Sequence, residues 1–180
     1  MKYLNQMLKW NKENGYLINQ DIKKQIKKQI RIHKKYIYRL DRVEQFIDFT
    51  ESNFMLTTGD LKPIVLLPTQ KWWLELMLGY DMLNEKGEQV QLINEVFLNV
   101  GRGTGKSSLM ATRVLNWMLL SGQFGGEAQV IAYDNNQAKH VYEQVKNQAK
   151  ASPLLSELSE NNQFKSTKTG LLFQPLLTKF

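Results

Sequence analysis

Glycine, lysine and serine residues cluster between positions 101 and 108, where the sequence reads Gly101-Arg-Gly-Thr-Gly-Lys-Ser-Ser108. Three glycines in five residues let the backbone turn sharply and direct several N–H groups into one concave surface. A helix that begins there adds its own free N–H groups and the positive end of its dipole. In such a loop Lys106 reaches the outer phosphates of a nucleotide, and the hydroxyl of Ser107 holds Mg²⁺.

The loop departs in one respect from the full pattern G-x-x-x-x-G-K-[ST]. The pattern places its first glycine at position 100, which is Val100, and Arg102 lies inside the loop. The alternative is therefore a glycine-rich strand-to-helix turn without a ligand. On the nucleotide-binding interpretation, the phosphates and Mg²⁺ contact Gly101, Gly103, Thr104, Gly105, Lys106, Ser107 and Ser108.

The segments around the loop alternate between strand and helix patterns. Short apolar runs at 96–100 and 128–133 predict two buried strands, and each is followed by an amphipathic helix pattern. This order is typical of a parallel sheet with right-handed crossovers, so the fold class is α/β, with a parallel sheet of the P-loop NTPase type. Asp134 follows the second strand at the edge where ligands of such folds bind, but helix capping is the simpler interpretation.

A second binding candidate lies in the predicted helix 68–78. Gln70 falls in its first turn, where an amide can hydrogen-bond the edge of an adenine through both donor and acceptor atoms. The alternative is that Gln70 is an exposed helix residue and that Trp72 and Trp73 are plain core.

Near the end of the chain, Lys165 and Lys168 fall in a predicted hairpin. One interpretation is that these lysines contact phosphate, and the simpler interpretation is a surface hairpin.

The positive charge is concentrated at the start of the chain. The formal net charge is +7, and residues 1–50 contain 12 Lys and Arg against 5 Asp and Glu, so this segment accounts for the whole excess. Apolar positions from Ile22 through Ile26 and Ile30 to Leu40 predict one long basic amphipathic helix, or two with a break near Asp41. A basic segment suggests an acidic partner such as nucleic acid, and the alternative is a solvated helix face.

Some features of an active ATPase are not found in the sequence. Such an enzyme needs a further apolar strand that ends in Asp-Glu, to hold Mg²⁺ and activate water. No apolar run after Ser107 ends in this way, which predicts an incomplete ATPase domain. The chain has no cysteine and no apolar run of about 20 residues, which excludes disulfides and argues against a membrane-spanning helix.

Three stretches of the sequence resemble the large terminase subunit of tailed bacteriophages. They are Leu67-Pro-Thr-Gln-Lys-Trp-Trp73, Asn99-Val-Gly-Arg-Gly-Thr-Gly-Lys-Ser107 and Ala132-Tyr-Asp-Asn-Asn-Gln-Ala138. The resemblance implies that Gln70 contacts adenine, that Arg102 and Lys106 act on the γ-phosphate of ATP·Mg²⁺, and that a missing first glycine is tolerated. It also implies double-stranded DNA, a portal protein and a small terminase subunit as partners, in the cytoplasm of the bacterial host and without a membrane.

The resemblance leads to a specific expectation for the chain. Residues 1–50 form a basic helical segment, and residues 51–180 form the N-terminal part of a P-loop ATPase domain, with the Asp-Glu motif and the nuclease domain absent. Such a chain binds nucleotide weakly and does not turn it over, and its incomplete sheet has an open edge. The alternatives are a non-enzymatic prophage remnant that binds DNA or a packaging partner, and a helicase-like ATPase of other purpose.

Overall fold

The computed structural model describes residues 1–57, 59–101, 103–166 and 170–179, without the side chains of residues 135–137. Within these residues the chain is a mixture of helices and short strands. The helices are α1 (Lys2–Glu13), α2 (Gln20–Lys35), α3 (Leu40–Asn53), α4 (Pro68–Leu78), α5 (Lys106–Leu120), α6 (Asn135–Ala151) and α7 (Pro153–Glu160). The strands are β1 (Ile37–Tyr38), β2 (Met55–Leu56), β3 (Lys62–Pro63), β4 (Tyr80–Leu83), β5 (Gln89–Gln91), β6 (Phe164–Ser166), β7 (Leu171–Phe173) and β8 (Thr178–Lys179).

The first of two compact units, unit 1, comprises residues 1–48 and 66–99. Helices α1 and α4 pack against each other around buried Leu4, Met7 and Trp72, and the side chains of α2 that face inward extend this core. Strands β1, β4 and β5 form an antiparallel sheet. The core forms because the apolar residues of each helix recur at spacings of three and four and so lie on one side of it.

A buried carboxylate connects the elements of unit 1. Glu75 is fully buried on α4, and its two oxygens accept hydrogen bonds from the backbone N–H groups of Tyr3 (3.2 Å) and Leu4 (2.9 Å), from the Gln29 amide (3.0 Å) and from the Tyr38 hydroxyl. The two N–H groups belong to the first turn of α1, where a negative charge is favourable. Burial, together with the hydrogen bond to Glu75, raises the pKa of the Tyr38 hydroxyl, which therefore remains a donor. Glu75 thus joins α1, α2 and β1 to α4.

The second unit, unit 2, comprises residues 49–65 and 100–180. Helices α5 and α6 pack against each other, with Leu109, Leu115 and Val145 fully buried or nearly so. Strands β2 and β3 pair as a hairpin, and β6, β7 and β8 form an antiparallel sheet. Beside β8 lies a short parallel pairing, in which the Ala128 N–H donates to the Lys179 carbonyl (2.8 Å) and the Lys179 N–H donates to the Gly126 carbonyl (3.0 Å).

The two strands predicted at 96–100 and 128–133 are wrong for this structure. Both segments are irregular, and each has a large apolar side chain that faces solvent: Phe97 is 93% exposed and Ile131 is 90% exposed. A strand requires a neighbour for its N–H and C=O groups, and the described residues pair with the second segment only at its start. An apolar run identifies a surface to be covered but not the partner that covers it. The fold is therefore mixed helix and sheet, without the predicted parallel sheet in the described residues.

The helix predictions agree better with the structure. The predicted helix 68–78 is α4, and the predicted break in the basic helix occurs at residues 36–39, slightly before Asp41. The predicted buried side of α2 is wrong at one position. Gln29 is fully buried, whereas Ile30, which the apolar spacing placed in the core, is 37% exposed. The amide of Gln29 satisfies polar partners in the interior, donating to Glu75 and accepting from Trp72 Nε1 at 2.7 Å.

The hairpin predicted between 164 and 173 is confirmed by the antiparallel pair of β6 and β7. Its turn, with Lys168, lies outside the described residues.

Among the helices that the structure describes, none is both long and apolar enough to cross a membrane.

Candidate nucleotide-binding loop

The loop before α5 has a backbone suited to an anion. Helix α5 begins at Lys106, and its N-cap residue, Gly105, adopts a left-handed conformation with φ of 75°. Gly103 also has a positive φ, 82°. Glycine adopts this region without the steric cost that a Cβ carries, which explains both residues. Because a glycine N-cap has no side chain to accept from the first turn, the N–H groups there can serve a ligand.

The side chains at the start of α5 are accessible. Lys106 and Ser107 are both exposed, and the first turn contains no acidic residue that would repel a phosphate. Thr104 stabilises the turn, because its hydroxyl donates a hydrogen bond to the Gly101 carbonyl at 2.9 Å. Positive charge, a hydroxyl and open N–H groups are therefore close together along four residues of chain.

Ser108 is linked to the neighbouring helix α6. The Gln144 amide lies 3.4 Å from the Ser108 hydroxyl and 3.1 Å from the hydroxyl of Thr57, and the Gln148 amide donates to the Ser108 carbonyl at 3.3 Å. Gln148 is fully buried. Sequence reasoning missed both glutamines because they lie on a helix face more than 30 residues away, in a pattern that shows only amphipathic spacing. They connect the start of α5 to α6.

The rest of α5 is anchored within unit 2. Asn116 donates to the hydroxyl of Thr50 at 2.9 Å, and the hydroxyl of Thr178 donates to the Met118 carbonyl at 3.0 Å. Leu115 is fully buried. These contacts, which are distant in sequence, fix the direction of the helix and therefore of its N-terminus.

Two other predicted site residues are not part of the described loop. Arg102 lies outside the described residues. Gln70 belongs to unit 1, is 9% exposed, and accepts a hydrogen bond from the Leu67 N–H at 2.9 Å, which caps the start of α4. The alternative interpretation, that Gln70 is an exposed helix residue, is thus wrong, because this capping contact turns its side chain back onto the chain. Its contact with adenine stays a prediction.

The residues present fit a magnesium–polyphosphate group. The fit rests on the left-handed glycine N-cap, on the exposed ammonium of Lys106 and on the exposed hydroxyl of Ser107. A cluster of three or more His, Asp or Glu side chains that could hold a metal ion by itself was not found among the described residues. A metal bound here therefore takes most of its ligands from phosphate and water, as Mg²⁺ commonly does with nucleotides.

Residues 68–175 match the model of the family described as terminase large subunit, ATPase domain. The chain belongs to this family. The resemblance inferred from the sequence is therefore confirmed, and the matched residues of this terminase chain include the loop, α5 and α6.

Two relatives are similar to the terminase chain over its whole length. The terminase large subunits of Lactococcus phage p2 and Lactococcus phage SK1 are each 67% identical to it over 180 residues, which are 100% of this chain and 33% of each relative. The chain thus spans about a third of the length of the curated relatives it matches.

One solved structure has a similar fold. The crystal structure of the HK97 bacteriophage large terminase aligns with a TM-score of 0.60 at 21% sequence identity, covering 77% of the terminase chain and 26% of the HK97 protein. At this identity the likeness concerns the fold alone.

Proposed function

We propose that the loop of residues 101–108 binds ATP with Mg²⁺ and forms the nucleotide-binding part of a terminase packaging motor. One observation carries the proposal: α5 begins on a left-handed glycine, with Lys106 and Ser107 exposed at its first turn. The loop also lies inside the stretch that matches the terminase ATPase family.

Each group of the loop has a role set by its chemistry. The backbone N–H groups from Gly101 to Ser108 bind the phosphate oxygens, the ammonium of Lys106 binds the outer phosphates, and the hydroxyl of Ser107 is a ligand of Mg²⁺. Bound Mg²⁺ offsets the negative charge of the phosphates. Thr104 supports the turn through its bond to the Gly101 carbonyl.

Two further contacts are part of the proposal. Arg102 senses or stabilises the γ-phosphate, and the amide of Gln70 contacts the adenine. Support for both comes from the resemblance of the surrounding stretches to the terminase large subunit. Gln70 is only 9% exposed, so its side chain has a defined position.

The parallel sheet of the P-loop type is proposed for the complete protein. Support comes from the two apolar segments whose side chains stay exposed here, represented by Phe97 and Ile131, and from the short parallel pairing of residues 126–128 with β8. In the complete protein these segments gain strand partners and become buried. The division of this chain at residue 50, between a basic helical segment and the ATPase part, also stays a prediction.

The biological role follows from the family and is proposed for the intact protein. It is the translocation of concatemeric viral DNA, with double-stranded DNA, a portal protein and a small terminase subunit as partners, in the cytoplasm of the bacterial host. We expect the 180-residue chain to bind nucleotide without turnover, because no apolar run after Ser107 ends in Asp-Glu.

A lysine substitution tests the loop directly. Lys106→Ala removes a charged contact worth about 1.5 to 3 kcal/mol, so affinity for a fluorescent ATP analogue in the presence of Mg²⁺ should fall about tenfold or more. Lys150→Ala, which removes an exposed lysine of α6, is the matched control and should bind as the wild type does. Unchanged affinity in the Lys106→Ala variant would contradict the nucleotide-binding assignment.

A further inference from the structure

Helix α2 carries a dense group of basic side chains on its outer side. They are all exposed, and together we call them the α2 basic face: Lys23, Lys24, Lys27, Lys28, Arg31, Lys34 and Lys35. At 100° per residue these seven positions fall within an arc of about 140° around the helix axis. From Lys23 to Lys35 the face is about 18 Å long, at 1.5 Å per residue. The cations therefore form one continuous strip.

The opposite side of α2 is held in unit 1. Ile22 and Ile26 pack against the core of Leu4, Met7 and Trp72, and Gln29 bonds to buried polar groups. The apolar side of this amphipathic helix is thus already used by the fold. Insertion of that side into a lipid bilayer, the usual membrane-binding mode of a basic amphipathic helix, would require α2 to leave unit 1. The cations of the α2 basic face all lie on the exposed side of the helix.

The basic face is poorly neutralised by the protein itself. The one acidic residue of α2 is Asp21, which lies 3.3 Å from Lys24. No other ion pair to the α2 basic face was found among the described residues. The arginines that follow in the chain differ, because Arg39 and Arg42 both pair with the buried carboxylate of Asp81. Repulsion among uncompensated charges on one face costs stability in the free protein, and a bound polyanion relieves that repulsion.

We propose that the α2 basic face binds the phosphate backbone of double-stranded DNA. The inference rests on the proposed packaging function for its choice of DNA as the polyanion. Protein interfaces have apolar or aromatic centres with few charges, and the arc contains no apolar residue, which disfavours an acidic protein. Phosphate contacts need only cations and depend little on base sequence. Opposite one DNA strand, with a phosphate about every 3.4 Å, an 18 Å strip spans about five phosphates.

The test compares two variants with equal loss of charge. The first carries Lys23→Gln, Lys27→Gln, Arg31→Gln and Lys34→Gln in the α2 basic face. The matched control carries Lys12→Gln, Lys62→Gln, Lys86→Gln and Lys150→Gln, four exposed positions elsewhere. Each removes four positive charges from a formal net charge of +7. Glutamine has nearly the helix propensity of lysine, and circular dichroism confirms that both variants are folded.

Binding of a labelled 30-base-pair duplex is followed by fluorescence anisotropy between 50 and 200 mM NaCl. Each lost phosphate contact lowers the slope of log K against log salt by about 0.9. We expect the α2 variant to lose about three units of slope and at least tenfold in affinity at 50 mM salt. The control should lose less than one unit and less than threefold.

Four results would overturn the proposal. They are equal losses in both variants, no binding of the duplex by the wild type, competition by polyglutamate as effective as competition by unlabelled DNA, and preferential binding to phosphatidylglycerol vesicles. The same α2 variant is titrated with the fluorescent ATP analogue. Retained nucleotide affinity with lost DNA affinity supports a DNA surface that works independently of the loop. Unchanged nucleotide affinity in the Lys106→Ala variant, with the expected difference in salt slopes between the α2 variant and its control, refutes the loop assignment and leaves the DNA surface supported.

Discussion

Glu75 in unit 1 and Lys106 in unit 2 are both charged residues of helices, but their environments are opposite. Glu75 is fully buried and accepts four hydrogen bonds from α1, α2 and β1. Lys106 is exposed at the first turn of α5 and has no ion pair among the described residues. A buried charge with every oxygen satisfied stabilises a fold, and an exposed charge at an open helix N-terminus is suited to a ligand.

The two residues also differ in how visible they are in the sequence. Lys106 stands in a glycine-rich pattern whose members are adjacent, so local spacing alone indicates its role. Glu75 lies in the middle of an apolar helix with no motif around it. Its partners Leu4 and Gln29 are 71 and 46 residues away in the chain. Only the tertiary structure shows that it is a structural residue.

The largest expected loss of stability comes from removing the buried carboxylate of Glu75. Glu75→Ala removes the acceptor for the N–H groups of Tyr3 and Leu4, the Gln29 amide and the Tyr38 hydroxyl. Because these donors lose their partner inside unit 1, we expect the free energy of unfolding to fall by about 3 to 5 kcal/mol. Urea denaturation followed by tryptophan fluorescence measures the change.

The fluorescence signal suits this measurement, because three of the four tryptophans, Trp10, Trp72 and Trp73, belong to unit 1, and only Trp117 belongs to unit 2. Glu85→Ala is the matched control. It removes an exposed glutamate of the same unit and should change stability by less than about 0.5 kcal/mol. Similar urea midpoints for the two variants would show that Glu75 does not hold α1 and α2 in place.

The helices were predictable from the sequence because their information is local. In α4, Pro68 is the first residue and Leu78 the last, as predicted, and Trp72 is buried, as the alternative interpretation of this helix had it. In α2 the spacing assigned burial to Ile30, although Gln29 is the buried residue. Hydrophobic spacing cannot reveal that the interior has room for the Gln29 amide and supplies it with both a hydrogen-bond acceptor and a donor.

The strands could not be predicted in the same way. The apolar character of Phe97 and Ile131 correctly marks surface that favours burial, but pairing depends on which other strand lies alongside. The antiparallel hairpin of β6 and β7 was predictable because both partners are separated only by a turn. Pairings between distant segments are not encoded locally. For the same reason the loop residues 101–108 were found as a candidate site, whereas Gln144 and Gln148 were missed.

An intermediate effect is expected at a second buried carboxylate of unit 1. Asp81 accepts hydrogen bonds from Arg39 (3.2 Å), Arg42 and Gln89 (2.9 Å). Burial raises the pKa of Asp81, but the bonds from Arg42 and Gln89 and the charges of both arginines outweigh burial, so the pKa of Asp81 lies below the usual value of an aspartate. A carboxylate whose pKa is lower in the folded state than in the unfolded state stabilises the fold at pH values above its unfolded-state pKa. This stabilisation is lost as the pH falls through the folded-state pKa. We expect Asp81→Asn to cost about 2 kcal/mol at pH 7.

The pH dependence separates this charge effect from a packing effect. The difference in unfolding free energy between wild type and Asp81→Asn should be constant above about pH 5 and shrink below pH 4, as Asp81 becomes protonated in both states. Urea midpoints measured from pH 3 to pH 7 give this profile. A difference that persists undiminished at pH 3 would mean that the amide disturbs packing and that the carboxylate charge contributes nothing.

The smallest expected effect on stability concerns the glycine turn that precedes the exposed Lys106. Gly105→Ala places a Cβ at a φ of 75°, which costs about 1 kcal/mol or somewhat more. Gly101→Ala is the matched control, because a Cβ there meets no atom within 4 Å and the backbone of Gly101 is not in the left-handed region. Urea denaturation followed by circular dichroism should show the loss for Gly105→Ala and less than about 0.5 kcal/mol for Gly101→Ala. Equal stabilities would mean that the loop before Lys106 relaxes freely, in which case the left-handed turn is not needed to present the N–H groups of α5.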